Sequence, residues 1–474
     1  MSTSVPQDRS KRLYGTADIR RRQPVPRARQ QTFASRGADL FVLALGLGTS
    51  FSVHFVGDLY LSEILLLIVF AALLFLRGRK ALRPELNMVY ALMAVWLVGQ
   101  TIADVYNHIP VVDKMRGTAL IVFFAIDLAA FSILLGHNEK RKVYYLMGLV
   151  AGAVLSVRLQ PDLEALPGER VPWKFGYAYG AILAVMLITS YFYSRRRYAF
   201  SALLVLGICG VNVIFNYRSP VLQLLLVLAL AYPIIPERLG GIQILPRANI
   251  ARLLVLASLA LGAAAMANQT VKFVTRAGYI GEEAQEKNES QEKAGNLLLG
   301  GRPEFVIGLR AALDNPFIGH GSWAKDPKYT EMLYDALVES GTRPEHERGD
   351  ISGAGLIPGH SHIVVAWVWS GIAGLIFWVY MIWFVLKGMV PLAIQRPPLA
   401  PIYVYLLVVM LWDIFFSPFA ANRRLTESFL LVAIADLPEI KARLISKPWV
   451  RSGAAEVRIL AAKRKIAGVI AKET

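Results

Sequence analysis

Apolar blocks of about 18–22 residues recur along this chain of 474 residues, and that length matches a hydrocarbon core of roughly 30 Å at a rise of about 1.5 Å per residue. A lipid-facing backbone has no water to bond, so each block must satisfy its own hydrogen bonds as a helix. Helices are predicted near 39–57, 59–76, 86–104, 117–136, 143–159, 174–194, 198–216, 220–236, 250–269, 362–386, 399–419 and 427–440. The expected fold class is an all-α polytopic membrane protein with about 12 transmembrane helices and one long outside loop. Composition agrees: 55% of the residues are hydrophobic.

Basic clusters set the orientation. With the N-terminus inside, the inside segments are the N-terminal arm, 77–85, 137–142, 195–197, 237–249, 387–398 and the C-terminal tail. Together they hold most of the lysines and arginines, including Arg77, Arg79, Lys80 and Arg83, then Lys140, Arg141 and Lys142, then Arg195, Arg196 and Arg197. An even number of helices returns the basic tail, 441–474, to the same side. Residues 1–38 read as a disordered basic arm with no cleavable signal peptide, 39–269 as nine membrane helices, 270–361 as the long outside loop, and 362–440 as the last three helices.

A net charge of +17 raises the question of nucleic acid. The charges sit at helix ends and termini and form no aromatic-interleaved stripe, so no nucleic-acid partner is expected. The single cysteine, Cys209, excludes an internal disulfide and a cysteine-based metal site. Glu63, Asp127 and Asp413 are the main ionisable residues in the apolar blocks. They are too few for an ion relay, and each is expected to bond a neighbouring helix.

Three positions on the outside carry the chemistry. Arg218, in Asn216-Tyr217-Arg218-Ser219-Pro220, sits where one helix ends and the next begins, as an interfacial anchor or an anion ligand. Arg302, in Gly300-Gly301-Arg302-Pro303-Glu304, opens an amphipathic helix with Phe305, Val306, Leu309 and Leu313 on one face. A guanidinium beside free backbone N–H groups suits a phosphate, although a solvated arginine at a capped surface helix fits the same pattern. The helix runs into Asn315-Pro316-Phe317-Ile318-Gly319-His320-Gly321. The third position is Pro358-Gly359-His360-Ser361-His362, at the return to the membrane. Two histidines at i and i+2 lack a further ligand set of metal spacing, so a proton-transfer role competes with a plain hydrogen-bonding one. Ser361 is the usual type of residue for a helix cap.

In this order, the three segments resemble the O-antigen ligase and O-antigen polymerase superfamily of bacterial envelope glycosyltransferases. The resemblance covers roughly residues 200–385, and extends to the N-terminal helices by hydropathy only. It rests on the Gly-Arg helix running into Asn315-Pro316 and Gly319-x-Gly321, then a histidine at the loop exit, then Gly371-x-x-Gly374. Ser361 stands where the family often has asparagine, and Tyr217 where it has a serine before the arginine.

The resemblance implies a metal-independent membrane glycosyltransferase of the GT-C type, in the bacterial inner membrane, with both termini cytoplasmic and a periplasmic loop. The donor it implies is a glycan on undecaprenyl diphosphate. Arg218 and Arg302 are then the diphosphate ligands and His360 the catalytic base, with Ser361 and His362 accessory. No cofactor is implied. Fixed cations answer the charge that develops on the departing phosphate, and a histidine takes the proton of the attacking hydroxyl. The acceptor is another lipid-linked repeat for a polymerase, the favoured reading, and lipid A core or a protein for a ligase. A transporter or flippase remains the alternative from another class. It predicts paired intramembrane charges and discontinuous helices.

Overall fold

The computed structural model describes residues 33–54, 58–77, 83–160, 173–215, 217–232, 238–239, 242–243, 302–339, 355–419 and 421–437, together with 258 and 262. They form fourteen α-helices. The first eight are α1 (Phe33–Gly48), α2 (Leu61–Arg77), α3 (Asn87–Tyr106), α4 (Val111–Leu135), α5 (Glu139–Leu159), α6 (Ala178–Ser194), α7 (Tyr198–Ile214) and α8 (Arg218–Ala231). The remaining six are α9 (Pro303–Asp314), α10 (Pro327–Glu339), α11 (His362–Ser370), α12 (Ile372–Gln395), α13 (Ala400–Phe416) and α14 (Ala421–Ala435). Among the described residues, four stretches are long and apolar enough to cross a membrane: Pro84–Tyr106, Val111–Leu135, Glu139–Leu159 and Ile372–Ala393. Shorter apolar helices include α6, α7, α8 and α13. The predicted helix 250–269, the arm 1–32, much of the 270–361 loop and the tail beyond 437 lie outside the described residues.

Helices predicted over the other segments are present, and three depart from their expected form. The first ends at Gly48, and the chain turns into a short antiparallel ladder, Ser52–His54 against Asp58–Tyr60. The last begins earlier than predicted, at Ala421, which brings Arg423 and Arg424 into its first turn. The block at 362–386 is two helices, because Gly371 breaks it at φ 60° and ψ −146°, a conformation that glycine alone adopts without strain.

The Asn315–Gly321 loop is wedged into that break. His320 N–H donates to the Val368 carbonyl (2.6 Å), Gly321 N–H to Trp369 (3.0 Å), and Ile372 N–H to Phe317 (3.2 Å). The Trp367 indole donates to the Pro316 carbonyl at 2.9 Å. A Cβ on Gly319 would lie 2.6 Å from the Gly371 nitrogen, so the two glycine motifs are the two sides of one close backbone contact. Past the break, α12 doubles back along α11, with Gly374 against the Ala366 backbone.

Small residues also set the α1–α5 contact, where Gly46 and Gly148 let the two backbones touch. An aromatic core of Trp96, Phe124, Phe377, Trp378 and Phe419 joins α3, α4 and α12 to the exit of α13. On the outer side of α12, Ile372, Ile376, Val379 and Trp383 form an exposed apolar stripe at helical spacing, as a lipid-facing surface requires.

Charge separates to the two ends of the bundle. At one end Asp39 binds Lys140 (3.0 Å) and Arg141 (3.3 Å), while Asp436 binds Arg83 (2.6 Å) and Lys142 (2.7 Å). The loop segments carrying the candidate site residues lie at the other.

Candidate functional site

The exit of α13 is the anchor. Trp412 and Phe416 are one turn apart on this helix, and the Arg302 guanidinium lies over both rings, 4.8 and 4.3 Å from their centroids. Phe305, one turn into α9, packs on Phe416 at 5.9 Å. Arg302 is the N-cap of α9, and Pro303 occupies the first helical position, where a missing N–H costs nothing. The guanidinium is half-buried, and its Nη1 is buried without a hydrogen-bond partner among the described residues. Burial lowers the pKa of Arg302, opposed by Glu304 and Asp413. Arginine keeps its charge through such shifts. A cation held against two rings beside a helix N-terminus, with a donor that has no partner among the described residues, is suited to an anion.

The buried side of α9 is not the face read from the sequence. Ile307, Gly308, Ala311 and Ala312 are buried, whereas Val306 and Leu313 are exposed. Close approach explains the reversal: a Cβ on Gly308 would meet the Pro358 carbonyl at 2.7 Å, so the small residues face α11.

Ser361 caps α11. Its Oγ accepts from Val364 N–H (3.2 Å) and donates to the Ile414 carbonyl of α13 (2.9 Å). His362 follows, fully buried, between Trp378 and Phe419. Its Nδ1–H donates to the Ser417 carbonyl at 2.7 Å, and its Nε2 lies 3.0 Å from Glu427 Oε1. The Nδ1 donor leaves one proton to be shared between Nε2 and Glu427. His360, by contrast, is exposed and has no side-chain hydrogen bond among the described residues. Of the two histidines, only His360 is open to a reactant.

Arg218 opens α8. Trp173 stacks on Phe215 at 5.0 Å and donates to Asn212 (3.2 Å), while Tyr217 N–H donates to the Asn212 carbonyl (2.8 Å), which fixes the turn before it. Pro220 falls in the first turn, where its lack of an N–H is harmless. The Tyr193 hydroxyl binds the Ala231 carbonyl at the far end of α8, and Ser190, also near the end of α6, accepts from Ile402 N–H at the start of α13. So α8 runs antiparallel to α13, and Arg218 lies at the end of the bundle where Arg302, Ser361 and His362 gather.

Several members of this cluster escape sequence reading. Asp413 binds Arg423 (2.9 Å) and accepts from Ser417 Oγ (2.6 Å). Arg424 binds Glu63 Oε1 through Nε (3.0 Å) and Nη2 (2.6 Å). Glu63 and Asp413 thus find partners on a neighbouring helix, as expected. Asp127 departs from the expectation: it is fully buried, and neither carboxyl oxygen has a hydrogen-bond partner among the described residues. The i, i+4 spacing of Trp412 and Phe416 was visible, but nothing local announces a partner more than a hundred residues away. Neither a protein-family model nor a curated protein matches the chain.

Proposed function

We propose that the chain is an integral membrane glycosyltransferase that moves a glycan from undecaprenyl diphosphate to an acceptor hydroxyl, as its resemblance to the O-antigen ligase and polymerase superfamily implies. The observation that carries the proposal is Arg302: a guanidinium over Trp412 and Phe416 at the start of α9, with a buried donor that has no partner among the described residues. Leaving diphosphate is the charge such a group suits. Arg218, at the same end of the bundle, supplies the second cation. His360 is the base, since it is exposed while His362 is held between Ser417 and Glu427. Ser361 and His362 fasten the base's segment to α13. Displacement by the acceptor hydroxyl inverts the anomeric carbon: the new C–O bond forms as the C–O bond to phosphate breaks, and the hydroxyl proton passes to His360.

In this reading the site faces the periplasm across the bacterial inner membrane and both termini are cytoplasmic. The basic segments around Arg83 and Lys140–Lys142, at the end of the bundle opposite the site, support that orientation. Polymerisation of lipid-linked repeat units is the activity we favour, with ligation to lipid A core or a protein as the alternative within the family. Two observations favour a transporter instead, the Glu63–Arg424 pair inside the bundle and the break of the 362–386 block at Gly371. Purified protein given donor alone, then donor with lipid A core, separates these. A ladder from donor alone means polymerase, and product only with core means ligase. Donor that crosses the bilayer intact means flippase and overturns the proposal.

A further inference from the structure

Charge balance inside the bundle exposes one odd member. Seven acids are buried among the described residues: Asp39 and Asp113 pair with lysine or arginine, Asp104 accepts from Gln100 and Ser322, and four remain, Glu63, Asp127, Asp413 and Glu427. Three have a basic partner on another helix: Glu63 with Arg424, Asp413 with Arg423, and Glu427 with His362. Asp127, in the middle of α4, has none among the described residues, although Glu63 and Arg424 act on it electrostatically. The titratable groups that act on it electrostatically are Glu63 from α2, Arg424 from α14 and Tyr145 from α5, while Tyr90 of α3 sits further along α4 beside Ser132. Arg424 spends two donors on one oxygen of Glu63, and Phe123 lies against its guanidinium. A buried carboxylate without donors is far costlier than a neutral acid in the same place.

We propose that Glu63, Asp127 and Arg424 form a proton-binding site that holds one proton, resting on Asp127, while the guanidinium pairs with Glu63. Exchange conserves charge. The proton leaves Asp127 and arrives on Glu63 as Arg424 turns from Glu63 to Asp127, so one neutral acid and one ion pair are present on both sides of the step. Arg423 and Glu427, neighbours of Arg424 on α14, hold Asp413 and His362, so the proton site is tied to the outer cluster through a single helical turn. The charge balance holds whether or not the chain transfers glycans.

Infrared difference spectra of the full-length protein in lipid nanodiscs at neutral pH test this. The wild type minus Asp127→Asn spectrum is expected to show one protonated carboxylic-acid band that shifts in heavy water. Glu63→Gln is expected to remove the same band, because Asp127 must then ionise to pair with Arg424. That second variant keeps the test decisive if Asp127→Asn does not fold. Absence of the band in the wild type, or its persistence in either variant, would overturn the proposal. So would thermal stabilisation by sodium that Asp127→Asn abolishes, since the third charge would then be balanced by a metal cation.

Discussion

Gly371→Ala tests the contact that seats the Asn315–Gly321 loop against the α11–α12 break, and the molecule contains its own control. Gly371 has φ 60° and ψ −146°, and Gly136, at the end of α4, has φ 52° and ψ −144°. An alanine at either position meets about 1–3 kcal/mol of backbone strain. Their surroundings differ: a Cβ on Gly136 enters open space, while one on Gly371 runs into the Phe317 carbonyl and the Ile318 backbone. Overpacking of that kind adds about 1–3 kcal/mol. Gly371→Ala should therefore exceed Gly136→Ala by about 1–3 kcal/mol, or roughly 5- to 150-fold in the unfolding constant. Unfolding by denaturant in mixed micelles gives both values, and limited proteolysis should find the 315–321 loop released in Gly371→Ala alone. Equal destabilisation by the two substitutions would show that the loop does not rest on the break.

Arg302→Lys keeps the charge but loses the planar fork and its contact with two rings, and should cost about 2–3 kcal/mol in kcat/KM for glycan transfer, or roughly 30- to 150-fold, with Arg302→Ala costing more. Removing His362 leaves Glu427 buried without its partner, so His362→Ala should destabilise the protein by about 3–5 kcal/mol, whereas His360→Asn should leave unfolding unchanged and abolish turnover. Asp314 accepts from Lys328 Nζ and the Tyr329 hydroxyl, both at 2.7 Å, and these bonds hold its pKa below the ordinary carboxylate value. A depressed folded-state pKa gives stability that is present above the unfolded value and lost as pH falls through the folded one. Acid titration of stability should therefore show a loss in the wild type that is absent in Asp314→Asn.

Hydrophobic block length located α3, α5, α7 and α13 to within a few residues, because backbone satisfaction in an apolar medium is a local requirement. The break at Gly371 was not legible. Val368, Trp369, Ile372 and Ala373 are as apolar as any span, and only the Phe317 backbone arriving from far along the chain makes glycine's torsion angles necessary. The face of α9 misled for a related reason: hydrophobicity pointed to Val306 and Leu313, but the closeness of Pro358 selected Gly308 and Ala311. In the site, Arg302, Ser361 and the histidine pair stood out through local motif chemistry. Trp412, Glu427 and Arg423 did not, since each matters through a partner on another helix. The resemblance places His360 ahead of His362 by its spacing to Gly371 but says nothing of their surroundings, which differ: His360 is exposed and His362 buried.

The most direct test of glycan transfer is the stoichiometry of the reaction itself. Purified protein is supplied with an undecaprenyl-diphosphate-linked oligosaccharide and acceptor, and both free undecaprenyl diphosphate and new glycosidic bonds are counted. One lipid diphosphate released for each bond formed, in the wild type and not in Arg302→Ala, is the predicted result. Wild-type protein that is folded and reconstituted, yet releases no lipid diphosphate, or an Arg302→Ala variant that matches it, would contradict the account.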